Sequence, residues 1–296
     1  MFGKLYSLFI PELLRKLFYN LRRSLPKKFH SIRWNIVSNK YIEEWANKRL
    51  DPGKYYWLFI LGCNNSGTTL LMQLLNSHPL IRGLPKEGQR VTSGLPFPPD
   101  FGIGRLFSDQ YDLFRWIEES DASNVLKIRY DWAANFSGKS PGILLEKSPP
   151  NTLRSRWLQH NFNPARFIMI VRNPYAVCEG IRRRRGHSIE KAAKHWRLVH
   201  ETLEEDKKYL EKITVIKYED FAENIVNTID KIEQFLDLEI PFDRKILQMK
   251  FKTHNIDGKP EKIQNFNIKS IERLTIEEIE LITRIIGQEK IKKYGL

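Results

Sequence analysis

The chain has 296 residues, 41% of them hydrophobic and 12% aromatic, which is enough apolar material for a sizeable core and excludes wholesale disorder. Forty-nine Lys and Arg against 35 Asp and Glu leave a formal charge of +14, so an acidic partner is expected: nucleic acid, an anionic membrane, or a phosphorylated or sulfated small molecule. The two cysteines, Cys63 and Cys178, exclude a disulfide scaffold and a Cys-rich zinc site.

Residues 1–50 hold 11 Lys/Arg and 3 Asp/Glu, a surplus of +8, so residues 51–296 carry the other +6. Phe2, Leu5, Phe9, Leu13, Leu17 and Leu21 recur there at helical spacing, with Lys4, Arg15, Lys16, Arg22 and Arg23 mostly off the stripe. This basic amphipathic arm reads either as a helix packed on the domain or, through residues 1–23, as a contact with an anionic membrane surface, although Pro11 interrupts it. Basic residues beside Trp, as in Arg33-Trp34, allow a nucleic-acid reading, but no recognised motif supports one and none is expected. No run approaches the ~18 apolar residues of a spanning helix, and the first residues lack the order of a secretory signal; a cytoplasmic protein is the expectation.

The main domain is expected over 51–296, after the turn Asp51-Pro52-Gly53. Tyr55–Leu61 reads as a buried strand, and Leu70–His78 as the helix that follows a Gly-bearing loop. Residues 88–110, rich in Gly and Pro, read as loop. Ile143–Leu145, Phe167–Val171 and Thr214–Lys217 are further strands. Pro174 opens a helix through Ala176–Arg183, and Ser188–Lys212, Ile225–Leu236 and Ile276–Ile291 are further helices. Strands alternating with helices predict an α/β fold: a central parallel sheet covered on both faces, in three layers.

The loop Gly62-Cys-Asn-Asn-Ser-Gly-Thr-Thr has the glycine spacing of a phosphate-binding P-loop. Its backbone N–H groups, together with the helix N-terminus behind it, suit an anion. Thr69 holds the Ser/Thr position, but the lysine that reaches the β/γ-phosphates of a nucleoside triphosphate is replaced by Thr68. A nucleotide kinase or NTPase is therefore the rival enzyme reading. A basic membrane-surface protein with a degenerate nucleotide site is the rival outside enzymology. The second strand edge, Arg166-Phe-Ile-Met-Ile-Val-Arg172, places Arg172 where ligands of open α/β sheets bind, ready to hold a phosphate bidentately. Arg182–Arg185 read as either further anion contacts or a solvated helix end.

GCNNSGTTLL, LLEKSPPNTLRSRWL, FNPARFIMIVRNPYAV and VIKYEDF, in that order from about Tyr55 to the C-terminus, together resemble the sulfotransferase family, the tyrosylprotein and heparan branches more than the cytosolic phenol type. The resemblance implies a P-loop-like fold and the sulfuryl donor 3′-phosphoadenosine 5′-phosphosulfate (PAPS), without a metal. It places the donor's 5′-phosphosulfate at Asn64, Asn65, Ser66, Gly67, Thr68 and Thr69, its 3′-phosphate at Arg172 and Arg184, and Tyr218 near the nucleotide. The acceptor would be a carbohydrate, peptide, lipid or small molecule. Two positions depart from the family pattern: Asn65 stands where Arg or Lys is usual, and Gly180 where a Ser contacts the donor. Lys86, Lys147 and Arg184 are candidate substitutes.

Transfer to an alcohol or amine needs a general base and charge stabilisation at the moving sulfonate. Glu87 is the candidate base, set against a surface acid paired with Lys86 or Arg90, and Lys147 is the candidate electrophile. Lys259, with Lys262 and Lys269, lies near His254 in a segment resembling one that closes over the nucleotide, or in a solvated lysine-rich loop. His78 is expected to end the first helix and contact carbonyls, and Trp196 to be core.

Overall fold

Tyr56–Leu61 form strand β1, and the apolar run is continuous because both faces of this strand are covered. Trp57, Phe59 and Leu61 enter one core while Leu58 and Ile60 enter the other. The computed structural model describes Glu44 and residues 54–136, 142–252 and 260–294. The basic arm, the turn at 51–53, His254 and Lys259 lie outside the described residues.

Five strands lie in the order β2-β3-β1-β4-β5, all parallel: β2 Ile81–Gly83, β3 Ile143–Lys147, β4 Ala165–Val171 and β5 Ile213–Lys217. The register pairs Ile60 with both Lys147 of β3 and Ile168 of β4. Helix α1 (Thr68–Leu75) and helix α7 (Ile225–Leu236) supply one apolar layer through residues such as Leu71, Leu74, Ile229 and Ile232. The other layer is built by α2 (Val125–Asn135), α3 (Ser155–Asn161), α4 (Pro174–Arg185) and α5 (Ile189–Asp206), with the C-terminal α9 (Ile276–Ile286) and α10 (Gln288–Tyr294). Short helices α6 (Tyr218–Glu223) and α8 (Asn267–Ile271) complete the order, and a two-stranded ribbon pairs β6 (Phe251–Lys252) with β7 (Pro260–Glu261). The expected α/β architecture is the observed one.

Several boundaries differ from those read in the sequence. The helix expected to run to Lys212 ends at Asp206, and Lys207–Tyr209 continue as a 3-10 turn. The helix expected over 276–291 is two helices, broken at Gly287, whose φ of 88° an L side chain rarely adopts. Residues 88–110 are not all loop: Gly88–Val91, Pro98–Phe101 and Phe107–Gln110 each make a turn of helix. Helix α2 was not read at all; VLKIRYDWAAN carries a Lys, an Arg and an Asp among its apolar residues and shows no clean face. The first helix ends at Leu75 and not at His78, which lies three residues beyond it; His78 does contact a carbonyl, that of Ile240 at 2.7 Å through Nε2, and Trp196 is fully buried as expected.

Candidate active site

The cleft opens at the carboxyl edge of the sheet, where β1, β3 and β4 end side by side. After β1 the chain turns sharply at Gly62, with φ 149°. Its N–H donates to Thr152 Oγ1 at 2.9 Å, pinning the loop to the 149–154 turn. A Cβ at Gly62 would lie 2.6 Å from the carbonyl oxygen of Ile170, a backbone atom of β4 that cannot step aside. Gly62→Ala is therefore expected to lower unfolding free energy by roughly 2–4 kcal/mol in urea titration. A midpoint unchanged from wild type would refute this reading of the turn.

Asn65 adopts the left-handed conformation at φ 64°, and Gly67, also left-handed at φ 96°, caps α1. Among the described residues no side chain caps α1, and its first-turn N–H groups, which have no intrahelical acceptor, are available to an anion. Ser66 Oγ is buried with no hydrogen-bond partner among the described residues, a further donor held in the same loop. Gly67 also admits a neighbour: a Cβ there would sit 2.9 Å from Tyr218 Cδ2. Tyr218 in turn lies under the Arg172 guanidinium, 4.2 Å from ring centroid to Cζ. Loop, phenol ring and guanidinium thus form one stack.

Arg172 follows the last residue of β4. Its Nε donates to Asn267 Oδ1 at 2.8 Å and its Nη1 to the Asn65 carbonyl at 2.9 Å. Asn267 is itself held by Glu219, whose Oε1 accepts from Asn267 Nδ2 at 2.5 Å and from the Asn173 N–H at 3.0 Å. Asn173 caps α4, accepting from the N–H groups of Tyr175 and Ala176. Burial, only partly offset by Tyr218 and Glu219, lowers the Arg172 pKa, yet the group stays cationic.

Opposite Arg172, Lys147 at the end of β3 meets Glu87 from the turn after β2: Nζ to Oε1 is 3.0 Å, with side chains 6% and 16% exposed. Glu87 Oε2 also accepts from Arg90 Nε at 3.2 Å and Gln89 Nε2 at 3.1 Å. Burial raises the Glu87 pKa, but Lys147, Arg90 and these hydrogen bonds outweigh it and hold the carboxyl at about 2. Next door, fully buried Glu146 accepts from the Gly88 N–H at 2.7 Å and from Ser148 Oγ at 2.5 Å, fixing the turn that carries Glu87.

One cleft gathers nearly every residue singled out in the sequence: Asn64, Asn65, Gly67, Thr68, Thr69, Glu87, Lys147, Arg172, Gly180, Arg184 and Tyr218 all line it. Ser66 lies beneath the lining. Lys269 also lines it, whereas Lys86 is exposed and stands apart, so it supplies no substitute cation. Glu87 is not the surface acid of the alternative reading, although its ion pair with Arg90 is present. At the two unusual positions the side chains complement one another. A Cβ at Gly180 would meet Asn65 Cγ at 3.4 Å, and Asn65 Oδ1 accepts from Arg184 Nη1 at 2.9 Å. Burial and the charges of Arg105, Arg185 and Arg183 lower the Arg184 pKa to about 10, the mark of guanidinia crowded around a space suited to an anion.

A sequence model of the sulfotransferase family matches residues 58–243, over half of the chain, from within β1 to beyond α7. The chain belongs to the sulfotransferase family. The bacterial sulfotransferases STF9 and STF1 share its fold at low identity. STF9 from Mycobacterium avium is 16% identical with a TM-score of 0.53, over 87% of this chain and 81% of that one. STF1 from Mycobacterium tuberculosis H37Rv is 12% identical with a TM-score of 0.50, over 84% and 81%. The mouse sulfotransferase SULT7A1, solved with PAP, is 15% identical with a TM-score of 0.44, over 81% and 90%. No curated protein matches the sequence.

Sequence reasoning missed several residues of this sulfotransferase's cleft and its supports. Thr152, Glu146, Asn267 and Glu219 act through backbone or through another side chain, and no motif marks such partners. Arg105 and Arg273 line the cleft from a loop and from the turn between α8 and α9. Each stands as a lone arginine beside apolar residues, and no motif marks it. Among the described residues no helix is long and apolar enough to cross a membrane.

Proposed function

We propose that this sulfotransferase moves a sulfuryl group from PAPS to a hydroxyl or amine of an acceptor, with Glu87 as general base. The observation that carries this reading is the pairing of two anion-receiving ends on one sheet edge: the uncapped loop before α1 with Thr68 and Thr69, and Arg172. The P-loop lysine of triphosphate enzymes is absent, and the lysine that lines the cleft with the loop, Lys147, arrives from β3 instead.

In this reading the loop 64–69 holds the 5′-phosphosulfate while Arg172 and Arg184 hold the 3′-phosphate. The acceptor oxygen or nitrogen attacks sulfur from the side opposite the bridging oxygen. The sulfur–oxygen bond to the 5′-phosphate breaks, the acceptor proton passes to Glu87, and 3′-phosphoadenosine 5′-phosphate (PAP) leaves. Lys147 neutralises charge that gathers on the sulfonate. As its ammonium turns to the sulfonate it relaxes its hold on Glu87, whose basicity rises when it is needed. A carboxylate held at about 2 is a weak base, so the free enzyme keeps Glu87 ionised and the bound donor activates it.

Titration calorimetry tests the donor. Wild type is expected to bind PAP, and Arg172→Ala to weaken it by roughly a hundredfold or more, the loss of two charge-assisted bonds. Binding of ATP with no binding of PAP would refute the proposal.

A further inference from the structure

Glu179 on α4 is fully buried and does not line the cleft, yet it pairs with two arginines that do. Its Oε1 accepts from Arg183 Nε at 2.8 Å, one helical turn on, and lies 3.7 Å from Arg273 Nη1, which comes from the turn between α8 and α9. Its charge is also felt at Arg172. The other oxygen, Oε2, is buried with no hydrogen-bond partner among the described residues. Buried carboxylates are rare unless they are paired, and both partners of this one line the cleft. The contact to Arg183 is through Nε, and Arg183 itself lines the cleft. Arg182 reinforces the arrangement from the outer face of α4: it donates to the Arg273 carbonyl at 2.8 Å and pairs with Glu278 of α9.

We propose that Glu179 is a positioning residue for the donor's 3′-phosphate, aiming Arg183 and Arg273 into the cleft from behind. The proposal rests on the PAPS reading above. Two effects compete, and their signs differ. A negative charge behind the arginines repels an incoming phosphate, so removing it by charge alone would tighten binding. Loss of the carboxylate also frees two long side chains from their orientation, which weakens binding. Orientation is the larger effect here because the carboxylate is neutralised by the two cations it holds.

The experiment compares PAP with adenosine 5′-monophosphate, which lacks the 3′-phosphate, by calorimetry on the full chain. Glu179→Gln preserves shape and removes charge. It is expected to weaken PAP about tenfold and the monophosphate less than twofold. Glu179→Asp, which keeps the charge, should recover part of the loss. In an Arg183→Gln/Arg273→Gln background, Glu179→Gln should have no further effect. Tighter PAP binding in Glu179→Gln would overturn the proposal in favour of a charge brake, and equal losses for both nucleotides would overturn it in favour of a structural role. Failure of the wild type to prefer PAP over the monophosphate would instead overturn the donor reading on which it rests.

Discussion

Glu87→Gln is expected to lower kcat by about a hundredfold to ten-thousandfold while leaving PAP affinity within about threefold of wild type. The amide keeps the shape of the carboxyl but cannot take a proton from the acceptor. Lys147→Ala should also depress kcat, and it has a second signature. Without the ammonium 3.0 Å away, the Glu87 carboxyl returns toward the ordinary carboxylate range. The wild-type pH profiles should therefore differ. The acid limb of kcat/KM, which reports free enzyme, lies lower than the acid limb of kcat, which reports the ternary complex in which Lys147 has turned to the sulfonate. Full turnover in Glu87→Gln with donor bound would remove Glu87 from the chemistry and leave it as the partner that stores Lys147 in the free enzyme.

Acid is expected to destabilise this protein well before its carboxylates titrate. His195 and His200, both on α5, are buried, and each has an Nε2 with no partner among the described residues. Burial, with repulsion from His200 and His187, lowers His195 to about 3; burial, offset in part by the bond to the Trp196 carbonyl and by Glu204, lowers His200 to about 4. The unfolded chain binds their protons near pH 6.5, so stability is full above that pH and falls as pH drops toward 4 and below. At pH 5 each ring costs about 2 kcal/mol, and the pair about 4 kcal/mol, relative to pH 7 and above. Urea titrations at pH 7, 6 and 5 measure the drop directly. His200→Gln should remove about half of the pH dependence while lowering stability at pH 7, because it loses the 3.7 Å stack on Trp196. Equal wild-type stability at pH 7 and pH 5 would contradict the assignment. The consequence reaches the cleft, since Trp196 donates from Nε1 to the Arg172 carbonyl at 3.4 Å.

The parts of the fold legible in the sequence were those where one segment suffices. YWLFIL is apolar on both faces and announces a central strand; the Gly62–Thr69 spacing announces the loop from it into α1; Pro174 announces the start of α4. What escaped was relational. Lys147 and Glu87 are 60 residues apart, and nothing in either segment names the other. Helix α5 is legible as a helix, but nothing in its sequence singles out His195 and His200, which packing buries completely. Asn65 and Gly180 read as two losses from the family pattern. In space they are one change, a side-chain amide resting against the place where a Cβ is missing and meeting Arg184.

Lys147 and Arg172 ride on the two strands that flank β1, and Ile60 sits level with Lys147 on one side and Ile168 on the other. Across the sheet they are two strand spacings apart, roughly 10 Å. Along it, Arg172 stands four residues beyond Ile168 (172 − 168), roughly 13 Å. That separation is set by backbone pairing, and no side-chain replacement alters it. A nucleotide bound as proposed would meet a fixed gauge cut into the main chain, while the turns over 92–104, which carry none of the groups assigned to the donor, are free to be rewritten around it. A relative could exchange acceptors by redrawing those turns and never disturb the measure of the donor.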